Sequence, residues 1–360
     1  MLWIFLIPIL PYFLTITAIG IMLMRSKGFK SSFNPGTSVT VIVPCRNEER
    51  TISHILSDLT AQNYPRELCR LIIVDDNSSD NTRKILSQYE GKSRLMVTGN
   101  RGEGKKRAIR TGVEASDTEL IITTDADCRM GKNWISSIVS FYEESHPAMI
   151  IGPVIVEGGK GFFARFQELE FLSLQGITAG TAAMKDPVMC NGANLAFKRE
   201  YYLRHSGNLH EELASGDDIF LLHSFKRENE GEIRFLDCED AVVTTRQSAS
   251  LIELLKQRSR WLSKAGQYRD GFTIYLAIVT FITILDLLFL LAAGLLNASL
   301  LIIPGIALTI KSIPDILLLY EVAKRRHKTG LLKWFLPVQM VYPFYVLAIA
   351  LKTLFRKKGW

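Results

Sequence analysis

The 360-residue sequence contains few cysteines, and their spacing matches neither a disulfide framework nor a metal-binding motif. All five lie in the central part of the chain: Cys45, Cys69, Cys128, Cys190 and Cys238. Small secreted domains and zinc sites depend on cysteines at regular, paired spacings. We therefore expect the protein to work in a reducing compartment and to fold without disulfide bonds.

The N-terminus lacks the basic start and short apolar core of a signal peptide. Residues 2–24 instead form an uncharged stretch that is long enough to cross a bilayer. Arg25, Lys27 and Lys30 follow it at once. Because basic residues favour the cytoplasmic side, this pattern predicts a retained anchor over residues 1–30 whose C-terminal end is cytoplasmic.

The chain also lacks the many repeated apolar segments of a transporter. Three further apolar segments lie near its C-terminus, at about residues 272–296, 298–320 and 334–351. The hydrophobic content of 48% is too high for an ordinary soluble protein, and the excess is concentrated at the two ends. We therefore predict a multi-pass membrane protein with a globular middle.

The charges leave the topology of the C-terminal region open. Its second apolar segment contains two prolines, Lys311 and Asp315, so we expect it to pack inside a bundle or to lie at the interface. Basic clusters at 324–328 and 356–358 both favour the cytoplasm, but a single spanning helix between them would separate them. A re-entrant last segment around Pro337 and Pro343 is one alternative.

The formal net charge of +7 could indicate a nucleic-acid partner. The basic residues, however, cluster beside the apolar segments. Charge that flanks a membrane segment is the simpler interpretation, so we expect membrane lipid and no nucleic acid as a partner.

Between about residues 38 and 270, short apolar runs alternate with helical patterns. The β-branched run 39–43 and the apolar run 71–74 flank a segment whose apolar residues recur at helical spacing over 52–59. This alternation predicts an α/β fold with a mostly parallel sheet and flanking helices. In such folds the ligand site lies at the carboxyl ends of the strands.

Acidic and polar residues occur where these strands are expected to end. Pro44 and Glu48 follow the first strand, and the loop Asp75 to Asp80 follows the second, where it could grip a ribose or form an Asx turn. Asp125 and Asp127 follow the apolar run 120–123. Because alternate residues of an extended segment point the same way, these two carboxylates are expected to converge on one divalent cation.

Further polar motifs lie downstream. Lys105 precedes a helix, where a solvated lysine is the alternative interpretation, and we expect Lys106 and Arg107 to be solvated. Asp217 and Asp218 form an acidic pair that could supply a general base or simply cap a helix. A basic amphipathic helix over residues 251–270 carries Q-x-x-R-W, and Phe162, Phe163, Phe166 and Leu169 predict another interfacial helix.

Taken in order, these motifs resemble the GT-A catalytic domain of family 2 inverting glycosyltransferases over about residues 38–265. The matching positions are Pro44 with Glu48, Asp75 to Asp80, Lys105, Asp125 with Asp127, Asp217 with Asp218, and Gln257-Arg258-Ser259-Arg260-Trp261. The loop Asn191-Gly192-Ala193-Asn194 also resembles the family's acceptor pocket. One departure is Asp217, where many relatives have glutamate.

The resemblance implies a role for each matching residue. The nucleotide-sugar donor would be bound by Pro44, Glu48, Asp75, Asp76, Lys105, Asp125 and Arg260. Asp125 and Asp127 would hold Mg²⁺ or Mn²⁺, and Asp218 would be the catalytic base. The acceptor would be bound by Asn194, Asp217, Gln257 and Trp261.

The predicted organisation is an anchor, a cytoplasmic GT-A domain over residues 38–250, the interfacial helix 251–270 and a membrane region of two to three helices over 272–355. The predicted function is metal-dependent, inverting transfer from a nucleotide-sugar, by resemblance a UDP-sugar, to a lipid-linked or glycolipid acceptor at the cytoplasmic face. A processive polysaccharide synthase is the alternative that Q-x-x-R-W leaves open. A non-catalytic scaffold subunit is a second alternative, against which the intact acids argue.

Overall fold

A computed structural model describes residues 6–31, 35–90, 95–208 and 216–355 of the protein. The chain divides into two compact units. The sheet unit comprises Lys27–Glu157 and Met189–Arg246, and the helical unit comprises Met1–Ser26, Gly158–Val188 and Gln247–Trp360. Residues 158–188, which the sequence places inside the catalytic domain, therefore belong to the helical unit.

The sheet unit contains two sheets. Its strands are β1 (Val39–Cys45), β2 (Cys69–Asp75), β3 (Leu95–Gly99), β4 (Leu120–Thr123), β5 (Arg129–Met130), β6 (Met149–Ile151), β7 (Val154–Glu157), β8 (Leu195–Lys198), β9 (Ile233–Phe235) and β10 (Val243–Arg246). Within the described residues, seven of them form one sheet in the order β3-β2-β1-β4-β8-β6-β9, and β5-β10-β7 form the other.

The large sheet is mostly parallel, as predicted. β1 pairs in parallel with β2 and β4, whereas β8 runs antiparallel to its neighbours β4 and β6. All seven residues of β1 are buried, which is what a strand covered on both faces requires and explains its continuous apolar run. Since β1, β2 and β4 run in parallel, the polar loops that follow them emerge at one edge of the sheet.

Helices flank the large sheet or connect its strands. They are α2 (Ile52–Thr60), α3 (Thr82–Ser87), α4 (Lys105–Ala115), α5 (Trp134–Ser145), α7 (Arg199–His205) and α8 (Asp217–Glu228). A Cβ atom on Gly112 of α4 would lie only 2.6 Å from the side chain of Ile42. The missing side chain thus lets α4 pack closely against β1.

The helical unit contains the apolar ends of the chain. Its helices are α1 (Ile9–Arg25), α6 (Phe162–Ala183), α9 (Leu251–Leu262), α10 (Gly271–Leu296), α11 (Ile302–Arg325) and α12 (Phe335–Leu354). Among the described residues, three helical stretches are long and apolar enough to cross a membrane: Gly271–Leu296, Ala298–Arg325 and Thr329–Leu354. α1 has 17 residues, so it is about 26 Å long and shorter than the predicted anchor.

The polar residues of the second apolar segment are paired inside the bundle. Lys311 Nζ lies 2.6 Å from Asp315 Oδ2, and Asp315 also accepts hydrogen bonds from Tyr12 of α1 and Gln339 of α12. Ionisable side chains in an apolar bundle are expected to pair in this way. The polar residues of this segment therefore face neighbouring helices, in agreement with the bundle alternative.

Two other expectations for the helical unit are wrong. α12 continues through Pro343 as one helix, so the last apolar segment is not re-entrant. α6 is not a surface helix, because Phe166 and Leu169 are almost fully buried together with the acids Glu168 and Glu170. The predicted basic cluster at 356–358 lies outside the described residues.

Two glycines of α6, four residues apart, allow close helix packing. A Cβ on Gly180 would lie 2.7 Å from the backbone oxygen of Ile19 in α1, and one on Gly176 would lie 2.9 Å from Val322 in α11. Small residues at this spacing let the backbones of neighbouring helices approach each other. The G-x-x-x-G pattern in the sequence is the signal for this contact.

Replacing Gly180 by alanine is expected to destabilise the helical unit by about 1–3 kcal/mol, because the new methyl group must displace backbone atoms of α1. Thermal unfolding of purified protein in detergent measures the effect. Gly305→Ala in α11 is the matched control, since nothing lies within 4 Å of its Cβ position, and it should be neutral or slightly stabilising. Equal melting temperatures for the two variants would contradict the close packing.

Candidate active site

The loops after β1 and β2 are joined by hydrogen bonds. The backbone N–H of Asn47 donates to Ser78 Oγ at 2.9 Å, and Asn47 Oδ1 accepts from the N–H of Ser79 at 2.8 Å. Asn47 and Asn77 both have positive φ angles, 57° and 56°, a conformation that asparagine tolerates better than most residues. Asn47 therefore joins the two loops. Pro44 is buried near the end of β1, where it lies opposite Val74 of β2.

Asp75 and Asp76 at the end of β2 are both almost fully buried. Asp75 accepts from the N–H of Ser78 at 3.3 Å. Asp76 accepts from the N–H of Gly104 at 3.0 Å and from Asn100 Nδ2 at 2.6 Å. Asp76, which the sequence predicts to touch the donor, thus holds the turn that begins α4.

That turn aims Lys105. Gly104 has φ 93°, which favours glycine, and Lys105 is the first residue of α4. Its Nζ atom lies 2.5 Å from Asp125 Oδ1, with about a third of each side chain exposed. Lys105 is therefore an ion-paired residue of the site and not a solvated lysine.

The other two basic residues of this segment differ from each other. Lys106 is 5% exposed, and its ammonium lies 4.9 Å from the centre of the Phe220 ring, so its predicted solvation is wrong. Arg107 is exposed, as expected.

The D-x-D motif lies in a turn beyond the end of β4, which stops at Thr123. The N–H of Cys128 donates to the backbone oxygen of Asp125 at 3.1 Å, and Thr245 of β10 donates to Asp127 Oδ2 at 3.4 Å. The turn, rather than the alternation of an extended strand, sets the directions of the two carboxylates. The sequence around Asp127 does not reveal this contact, because Thr245 lies 118 residues further along the chain.

The carboxylates at this edge repel one another. Burial raises the pKa of Asp127, and the neighbouring charge of Asp125 raises it further. Burial also raises the pKa of Glu48; a hydrogen bond from Thr51 opposes the shift, and the charges of Asp127 and Asp125 add to it. Glu48, Asp125 and Asp127 therefore form one electrostatic cluster.

Lys105 also experiences the acidic pair at the start of α8. Burial would lower the pKa of Lys105, but Asp125, Asp217 and Asp218 together hold it above the ordinary lysine value. The structure thus places Asp125 of the D-x-D motif and the predicted base Asp218 around the ammonium group of Lys105.

Asp218 is held by the loop that precedes β8. Its Oδ2 atom accepts from the N–H of Gly192 at 3.1 Å, and its Oδ1 atom accepts from the N–H of Ile219 at 2.8 Å. A Cβ on Gly192 would lie 3.3 Å from Asp217 and 3.5 Å from Lys105 Nζ. The loop therefore forms one wall of the site through its backbone.

Asn194 has a role other than the predicted contact with an acceptor. Its side chain is 1% exposed. Both amide hydrogens donate to backbone oxygens, of Pro153 and Ala241, and its oxygen accepts from the indole N–H of Trp134 at 3.0 Å. These three bonds join distant parts of the sheet unit, which makes Asn194 a structural residue.

The Q-x-x-R-W motif lies on α9 in the helical unit. Arg260 is exposed, and Gln257 and Trp261 are partly buried. Arg258, one of the basic residues of the predicted amphipathic helix, is 6% exposed and pairs with Glu170 of α6. Arg258 therefore does not belong to the exposed basic surface of α9.

The residues of the sheet unit are chemically suited to a divalent cation. Magnesium is usually bound through one or two carboxylates together with substrate phosphates, not by a complete protein cage. In the described parts of the chain no group of three or more metal-binding side chains is preassembled. Asp125 and Asp127 supply two carboxylates whose mutual repulsion a cation would relieve.

Comparisons with known proteins identify the family of part of the chain. Residues 40–205 match the family described as "Glycosyl transferase family 2". The chain is 26% identical over 240 residues to "Probable glycosyltransferase YdaM" of Bacillus subtilis, which covers 64% of the chain and 55% of that relative. It is 26% identical over 278 residues to "Beta-monoglucosyldiacylglycerol synthase" of Trichormus variabilis, covering 73% and 57%. The chain thus spans about half the length of these curated relatives.

A solved structure has a similar fold over nearly the whole chain. It is "Mannosyltransferase PcManGT from Pyrobaculum calidifontis in complex with GDP-Man and Mn2+", with a TM-score of 0.61, 18% identity and coverage of 99% of this chain and 100% of that one. At this identity the similarity concerns the fold alone.

The sheet and the family match define the class of the domain. Residues 40–205 belong to glycosyltransferase family 2, and the chain has the GT-A fold. The predicted family and fold class are confirmed.

The acidic cluster predicts opposite stability effects for two similar substitutions. Because the folded state raises the pKa of Asp127, it binds more protons there than the unfolded state, and stability falls as the pH rises through this range. Asp127→Asn is therefore expected to raise the melting temperature at pH 7 in metal-free buffer, which differential scanning calorimetry measures.

Asp80→Asn is the control. Burial would raise the pKa of Asp80, but hydrogen bonds from Thr82 and Glu49 hold it below its ordinary value, so its charged form stabilises the fold until the pH falls through that pKa. Asp80→Asn should lower the melting temperature at pH 7. A lower melting temperature for Asp127→Asn as well would show that the acids do not repel each other.

Proposed function

We propose that the protein transfers a sugar from a nucleoside diphosphate donor to a lipid acceptor, in a metal-dependent reaction that inverts the anomeric configuration. The observation that carries the proposal is the convergence of Asp125, Asp217 and Asp218 around Lys105 at the carboxyl edge of the sheet. A scaffold protein has no need to keep such a cluster of like charges.

Asp218 is the proposed base. In a single displacement, a carboxylate takes the proton of the acceptor hydroxyl while that oxygen attacks the anomeric carbon from the side opposite the diphosphate. The N–H of Gly192 fixes one oxygen of Asp218, which orients the carboxylate. Asp217 lies next to it at the start of α8 and is proposed to contact the acceptor.

The donor is proposed to lie against the loops after β1, β2 and β4. Glu48 and Asp75 face this edge, and Lys105 supplies a positive charge for the diphosphate. Asp125 and Asp127 would hold Mg²⁺ or Mn²⁺, which when bound supplies Lewis-acid stabilisation of the leaving diphosphate. Pro44 and Arg260 remain proposed donor contacts on the resemblance alone.

A lipid acceptor is supported by the helical unit. Three helical stretches are long and apolar enough to cross a membrane, and one relative is named as a synthase of a glycosylated diacylglycerol. We propose a multi-pass protein with its sheet unit in the cytoplasm, because α1 ends at Arg25, Lys27 and Lys30 follow it, and the described cysteines are free thiols. Gln257 and Trp261 are proposed acceptor contacts.

The base assignment predicts a selective loss in Asp218→Asn. Nucleoside diphosphate release is measured with UDP-glucose, UDP-N-acetylglucosamine and GDP-mannose, with Mn²⁺ and vesicles that contain diacylglycerol or undecaprenyl phosphate. One pair should give lipid-stimulated release, and Asp218→Asn should reduce it by about 10²–10⁴-fold without changing donor binding.

Asp117→Asn is the matched control, because the side chain of Asp117 is 79% exposed and pairs with Arg70 away from the cluster. It should keep full activity. Activity that survives in Asp218→Asn would contradict the base assignment, and a long glycan product would favour the processive alternative.

Metal dependence predicts a binding signature that needs no turnover. Mn²⁺ should raise the melting temperature of the wild-type protein more when UDP or GDP is present than when it is absent, since the cation and the diphosphate bind together. Asp127→Ala should abolish this synergy. An equal response of wild type and Asp127→Ala would exclude Asp127 as a metal ligand.

A further inference from the structure

A buried ion pair joins α9 to α6. Arg258 Nε donates to Glu170 Oε1 at 2.8 Å and Nη2 donates to Oε2 at 2.6 Å. The side chains are only 7% and 6% exposed. The guanidinium thus grips the carboxylate with two parallel bonds, which fixes its plane as well as its position.

The same guanidinium contacts two residues of the Q-x-x-R-W motif. Its Nη1 atom donates to Gln257 Oε1 at 2.6 Å, and its Cζ atom lies 4.1 Å from the centre of the Trp261 ring. Neighbouring residues of a helix do not normally face each other, whereas residues three apart do. The guanidinium of Arg258 therefore links Gln257 to Trp261.

α12 completes the cluster from a third segment of the chain. Tyr345 donates to Glu170 Oε1 at 3.3 Å, and Thr353 of α12 donates to Ser259 of α9 at 3.1 Å. Glu170 is thus held from two sides. Its carboxylate cannot turn away from Arg258 without breaking both sets of bonds.

Stability alone does not account for this pair. A buried ion pair loses solvation when it forms, and apolar residues of similar size often stabilise a protein as well. An apolar pair, however, could not orient an amide and an indole at the same time. The directional bonds of Arg258 are what distinguish it from a packing contact.

We propose that Arg258, fixed by Glu170, is a positioning residue that orients Gln257 and Trp261 for the acceptor. The acceptor role rests on the proposed function, whereas the orientation of Trp261 can be tested separately. Arg258 acts through the two motif residues and is not itself proposed to touch a substrate.

Two variants test the proposal. Glu170→Gln keeps the shape of the side chain but removes the charge, and Arg258→Lys keeps a charge but cannot bond to Glu170 and Gln257 and cover Trp261 together. The matched control is Asp315→Asn, which breaks another buried ion pair of the helical unit, that of Lys311 and Asp315.

The first readout is the emission of Trp261, obtained by subtracting the spectrum of each variant that also carries Trp261→Phe. Both variants should shift this emission to the red, because Glu170→Gln no longer fixes the guanidinium over the indole and Arg258→Lys replaces it with an ammonium group. Asp315→Asn should lower the melting temperature without moving it.

The second readout is kinetic and uses the donor and vesicle pair that gives turnover. Both variants should lower kcat/KM for the acceptor lipid on the order of tenfold to a hundredfold, with donor binding unchanged. Asp315→Asn should leave the balance between kcat/KM for the acceptor lipid and donor binding as it is in the wild-type protein.

Three results would overturn the proposal: an unchanged Trp261 emission in both variants, an equal shift in Asp315→Asn, or loss of folding in both variants. If the wild-type protein shows no turnover, the proposed function fails, while the emission still decides whether Arg258 positions Trp261.

Discussion

The repulsion among carboxylates at one edge of the sheet is the constraint on which the rest of the site depends. Burial raises the pKa of Glu48 and of Asp127, and the charge of Asp125 raises both further. Asp217 and Asp218 lie close enough to act on the same lysine as Asp125. Such a cluster is unfavourable unless positive charge is brought to it. Lys105 supplies part of that charge, and the diphosphate and its cation would change the balance when they bind.

Hydrogen bonds within the surrounding loops hold these carboxylates and Lys105 in place. Asp76 fixes the turn that aims Lys105, Asn47 joins the loops after β1 and β2, and the backbone of Gly192 fixes Asp218. None of these bonds reaches a substrate. They are nevertheless what allows the acids to converge, because flexible loops would let the carboxylates separate.

Much of the fold and of the site could be predicted from local sequence. Each of the strands β1, β2 and β4 is an apolar run that acidic residues follow directly in the chain. The strands and the acids at their ends can therefore be predicted without knowledge of tertiary contacts. The helical segments 272–296 and 334–351 were equally visible from length and composition. The family resemblance then gave each motif a role.

What could not be predicted depends on distant partners. The burial of Arg258 requires Glu170, 88 residues earlier, and the structural role of Asn194 requires Trp134, 60 residues earlier. The turn at Asp125 and Asp127 depends on how β4 ends, and the assignment of α6 to the helical unit depends on its packing against α1 and α11. Each is a tertiary contact that overrides a local pattern.

The anomeric configuration of the product tests the central claim most directly, because a single displacement by an acceptor activated at Asp218 must invert it. Proton NMR of the glycolipid formed from an α-linked nucleotide-sugar gives the configuration. The account predicts a β-linked product. An α-linked product would contradict it, since retention requires a different use of the acids around Lys105.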